Sequence, residues 1–135
     1  MELRDRARAG SENGRSWNAL KSANHAVSGL AWMAPRTPSI RLGVVVMASL
    51  TVIGLLLGLP LVQVALLVGA GSVVLAVETL NTAIELLCDH LHPGPHPMIG
   101  KVKDVAAGAT VITEIGVAII FILLVGPPIW SRLTA

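Results

Sequence analysis

Three apolar runs constrain this chain more than anything else in it. They cover about residues 42–61, 62–89 and 104–129, and each reaches the roughly 20 residues that carry a helix across a bilayer. Only 13% of the 135 residues are charged, too few to clothe a water-soluble domain of this size. The expected fold is therefore all-α and integral to a membrane, with three spans.

Before the first span the pattern differs. Residues 1–15 mix charge with Gly and Ser and read as a flexible tail. Over about residues 16–34, Trp17, Leu20, Ala23, Val27, Leu30 and Ala31 fall on one side of a helix. Asn18, Lys21, Ser22 and His25 fall opposite, the spacing of an amphipathic helix lying in the membrane interface. Pro35 and Pro38 should end it. Residues 16–135 thus form one domain.

Basic residues set the expected orientation. Arg4, Arg6, Arg8, Arg15, Lys21, Arg36 and Arg41 precede the first span, and Lys101 and Lys103 lie between the second and third. The positive-inside rule places the N-terminus and that second connection in the cytoplasm. Nothing in the basic residues suggests a nucleic-acid site. Gly54 and Gly58 read as a packing pair within the first span, and Gly126-Pro127-Pro128 reads as the end of the third, with Trp130 as an anchor beyond. Cys88 reads as a small packing residue, and His90, His92 and His96 as loop residues rather than ligands.

The second span carries groups that a membrane helix normally lacks. At about 100° per residue, Glu78, Asn81, Glu85 and Asp89 lie within an arc of roughly 80° on one face. Ionisable side chains inside a span cost about 2.5–3.5 kcal/mol each on insertion scales, and they are usually retained for function. Asp89 is expected at the cytoplasmic edge, level with Lys103 and Asp104 at the start of the third span, and Glu78 near mid-membrane. Such a stripe suits chemistry between a water-soluble reagent and a lipid. Helix association through hydrogen bonds is the alternative reading of the same residues.

Glu78-Thr-Leu-Asn81-Thr-Ala-Ile-Glu85, then Asp89, then Lys103-Asp104, resembles the signature of the prokaryotic diacylglycerol kinase family, which includes undecaprenol kinases. The resemblance runs from about Ser16 to Trp130. It implies a homotrimeric kinase of the bacterial inner membrane that uses ATP and Mg2+ to phosphorylate a lipid hydroxyl. Diacylglycerol is the first substrate and undecaprenol the alternative. By the same resemblance Glu78 is the general base and Glu85 binds magnesium. Asn81, Asp89, Lys103, Asp104 and Arg41 would serve the nucleotide and substrate.

One family position departs. The family carries a glutamate four residues before an arginine where the interfacial helix meets the first span. Here the arginine is Arg41 and the position holds Thr37, with no acidic residue from Leu20 to Val77. A catalytically weak or inactive lipid- or nucleotide-binding subunit is the corresponding alternative. An extra acid, Glu114, lies ten residues into the third span. It is too deep to replace the ligand missing beside Glu85; one expectation is that it faces Glu78 and shares a proton with it, and the alternative is a buried neutral acid bonded to a neighbour such as Thr110 or Thr113.

Overall fold

The computed structural model describes residues 2–134, with side chains from Asn18 onward; the expected tail side chains and Trp17 lie outside the described side chains. It is helical throughout, with no strand among the described residues, and falls into two units, residues 1–37 and 38–135. The first unit is helix α1 (Glu2–Met33) and a closing turn. Pro35 cannot extend the helix, and the Thr37 N–H closes back on the Met33 carbonyl at 3.1 Å. Arg36 stacks its guanidinium over the Trp32 ring at 4.7 Å and donates to the Trp32 carbonyl. Leu20, Val27 and Leu30 are exposed.

The second unit holds α2 (Pro38–Leu56), α3 (Leu61–Leu91) and α4 (Pro97–Leu133). All three are long and apolar enough to cross a membrane. Only 11–17% of each apolar window is buried, so the bundle turns its Leu, Ile and Val side chains outward. A water-soluble bundle does the reverse, and three helices satisfy their own backbone groups in lipid. Pro38 does not extend the break after α1. It opens α2 at the first helical position, where its missing N–H costs nothing.

The α2–α3 turn explains why Gly58 is not half of a packing pair. Leu59 N–H bonds the Gly54 carbonyl and Gly58 N–H the Leu55 carbonyl, both at 3.0 Å, while Gly58 sits at φ +73°. This is a Schellman stop, which requires a residue that tolerates the left-handed region. Gly54 alone packs between helices, its Cα facing Leu67 and Val64.

Helix α3 is the central element, packed on both α2 and α4. Its register with α2 is set by close approaches: a Cβ on Gly43 would stand 2.8 Å from Leu75, and one on Gly71 2.8 Å from Met47. At the turn end Leu59, Val64, Leu67 and Val125 form a closed core, and Arg132 donates to the Leu57 carbonyl at 3.0 Å. At the other end His96 caps α4, its Nδ1 accepting from Met98 N–H at 3.2 Å, with Pro97 in the first turn.

Contrary to the sequence expectation, α4 does not stop at Pro127-Pro128 but continues to Leu133. Two adjacent prolines remove only two N–H donors, and the helix resumes below them, with Thr134 N–H on the Trp130 carbonyl at 3.2 Å.

Candidate functional site

The polar stripe of α3 lies along its seam with α4. Lys103 Nζ donates to Asp89 Oδ1 at 2.5 Å, which pins the antiparallel register of the two helices. Asp89 is well exposed, so the pair fixes position more than it adds stability. Seven residues further along each helix come Thr82 and Thr110, both buried. Eleven residues along come Glu78 and Glu114, and these two line one cavity. The same register therefore places both pairs.

Between the pairs, Asn81 Nδ2 donates to Glu85 Oε1 at 3.1 Å, one helical turn apart. Asn81 is buried, and its Oδ1 is an acceptor with no partner among the described residues. A buried unpaired carboxamide oxygen costs about 1–3 kcal/mol, so it marks a place where a donor or cation is wanted. Glu85 is half-buried and close enough to Lys103 to feel its charge.

Two hollows flank this bridge. One, of about 370 Å³, is walled by Leu42, Val46, Leu50, Leu75 and Phe121 and carries Ser39, Glu78 and Glu114 as its polar groups. The other, about 760 Å³, lies at the α3–α4 loop among Asp89, Lys103, His92, His96 and Gly100. Glu78 and Asp89 are about 16 Å apart along α3, so the stripe spans from one hollow to the other.

Glu78 marks the level at which α2 begins. It lies midway along α3, yet only three residues beyond Leu75, which packs on Gly43 in the second turn of α2. The shorter α2 therefore begins level with Glu78, and α3 runs about 20 Å further without it. Asn81, Glu85 and Asp89 project past the first turn of α2. The apolar cavity opens where α2 starts.

Not every expected residue joins the stripe. Asp104 and Arg41 are exposed, and neither makes a hydrogen bond or ion pair to a described residue. Asp104 turns about 100° away from Lys103 on α4. Thr37 belongs to the first unit. His92 Nδ1 lies 2.9 Å from the Gly94 carbonyl and His96 caps α4, so both imidazoles have structural partners. Cys88 is buried and free. Ser39 is the polar group that sequence reasoning missed; its signal was the adjacent Pro38, a helix-opening proline.

The donor set decides what kind of metal fits. No three His, Cys, Asp or Glu side chains converge among the described residues, so these residues build no three-ligand metal cage. Magnesium demands less: it keeps waters and usually takes one or two protein carboxylates beside substrate phosphates. Glu85, with the unpartnered Asn81 oxygen one turn away, fits that hard-oxygen requirement.

A family model described as prokaryotic diacylglycerol kinase matches residues 24–125, from the later part of α1 to Val125 on α4. No curated protein matches the chain.

Proposed function

The chain belongs to the prokaryotic diacylglycerol kinase family, and from that premise we propose that it transfers the γ-phosphoryl group of ATP to the primary hydroxyl of a membrane lipid. The observation that carries the reading is the single stripe of α3 joining an apolar cavity at Glu78 to a polar hollow at Asp89 and Lys103. A lipid alcohol suits the first hollow and a nucleotide the second.

Phosphoryl transfer depends on positioning and charge neutralisation rather than on covalent chemistry by the protein. The lipid hydroxyl enters the cavity with its alkyl chain along Leu42, Val46 and Phe121 and its proton on Glu78. Glu78 takes that proton as the oxygen attacks phosphorus and the bond to ADP breaks. Lys103, held by Asp89, reaches for the phosphates, and Asn81 orients Glu85 through its amide. Asp104 near the loop and Arg41 in the first turn of α2 are both exposed and open to the nucleotide. Magnesium, bound with the nucleotide at Glu85, would offset phosphate charge.

The basic residues before α2 and around Lys103 favour a cytoplasmic N-terminus and α3–α4 loop, where ATP is available. The outward apolar faces suit a bacterial inner membrane and a homotrimer in which copies complete one another's sites. Diacylglycerol is the first substrate, with undecaprenol as the alternative. Thr37, where the family has a carboxylate, favours a second reading: a binding subunit that does not turn ATP over.

The test is transfer from labelled ATP, with magnesium, to a panel of diacylglycerol, ceramide and undecaprenol. Transfer to one lipid names the substrate. Absence of transfer in protein shown to be folded makes the binding subunit the better account.

A further inference from the structure

We infer that Glu114 is a second residue holding the lipid hydroxyl, donating a hydrogen bond from its protonated carboxyl to the oxygen whose own proton points to Glu78. This rests on the lipid-kinase reading and adds to it a group from α4.

Glu78 and Glu114 open into the same cavity from two different helices. Neither accepts a hydrogen bond from a described residue. Among the described residues the titratable groups facing the cavity are these two: α2 contributes the Ser39 hydroxyl, and no described Lys, Arg or His lines it. Lys103 and Asp89 stand about 16 Å away toward the loop. Ionising two carboxyl groups that line one apolar cavity with no cation beside them is costly in general, and a single shared proton is the arrangement assigned here.

Their surroundings decide who carries it. Glu78 continues into the stripe of Asn81 and Glu85, which leads toward Lys103. Glu114 is followed on α4 by Val117, Ala118 and Phe121, all cavity wall. The apolar neighbourhood suits the neutral acid, and the stripe suits the anion.

A primary hydroxyl has one proton and two lone pairs. Its proton goes to ionised Glu78, one lone pair accepts from Glu114, and the other is left to attack phosphorus. In the transfer step the oxygen–phosphorus bond forms, the bond to ADP breaks, and the hydroxyl proton ends on Glu78. Glu114 keeps its own proton throughout.

The experiment measures kcat/KM against pH for wild type, Glu114→Gln and Glu114→Leu, each checked for folding by size-exclusion in detergent. Gln keeps a donor that cannot ionise, so E114Q should lose about threefold, while E114L should lose on the order of a hundredfold. Wild type should decline on the alkaline side as the shared proton leaves, and E114Q should not. Infrared spectroscopy should find a protonated carboxyl at neutral pH in wild type that disappears in E114Q.

Transfer by wild type with E114L equally active and all pH profiles alike would overturn this inference alone. Equal damage from Gln and Leu, or no protonated carboxyl in wild type, would overturn it too. No transfer by folded wild type overturns the kinase reading along with it.

Discussion

The two ends of the α2–α4 bundle are built from the same helices but to opposite rules. At the turn end, Leu59, Val64, Leu67 and Val125 are buried against one another, and Arg132 ties the tail of α4 to the turn. Toward the loop end α3 and α4 run on beyond the start of α2, an apolar cavity lined by all three helices lies open, and the buried polar groups are Asn81, Thr82 and Thr110. One end spends its residues on packing, and the other leaves the buried Asn81 Oδ1 without a partner among the described residues. The contrast teaches where function sits in a chain whose exterior is almost uniformly apolar.

The contrast breaks most visibly at Glu78. Glu78→Gln keeps the shape but removes the base, and transfer should fall by about 10²–10⁴-fold with the fold unchanged. Phosphate transfer beside a thermal melt in detergent checks both halves. At the loop hollow, Lys103→Met removes the cation facing the phosphates. The apparent KM for ATP should rise by about tenfold or more, since charge-assisted hydrogen bonds are the stronger kind, while lipid dependence stays near wild type.

Substitutions at the turn end should do the opposite. Gly58→Ala forces an L side chain to φ +73° and should cost about 1–2 kcal/mol of stability, read as a lower melting midpoint, with kcat/KM preserved. Arg132→Ala removes one exposed hydrogen bond to the Leu57 carbonyl. About 1 kcal/mol or less is expected there, and no change in transfer. A turn-end variant that abolished transfer while remaining folded would end the division between packing and chemistry.

Much of this was legible in the sequence because helical periodicity is strict. The stripe of Glu78, Asn81, Glu85 and Asp89 is a matter of 100° steps, and the helix obeys them. Eleven-residue spacings on α3 and α4 likewise let Glu114 be matched to Glu78. What failed depends on chain direction rather than on periodicity. Gly58 looked like half of a packing pair, but a Schellman stop needs the same residue for its φ. Pro127-Pro128 looked like an ending, yet α4 passes through both. Pro38 looked like a break, and reading it as an opening would have placed α2 level with Glu78. At Pro38 the proline marks a boundary without saying on which side the helix lies, and at Pro127-Pro128 it marks none.

The central claim is that two separable ends of one stripe serve two substrates. Nucleotide binding and phosphate transfer measured together on wild type, Glu78→Gln and Lys103→Met test it most directly. The account predicts that Glu78→Gln binds ATP as wild type does but transfers at least about a hundredfold more slowly, while Lys103→Met loses ATP binding first. Loss of nucleotide binding in Glu78→Gln, or transfer in it near the wild-type rate, would contradict the account.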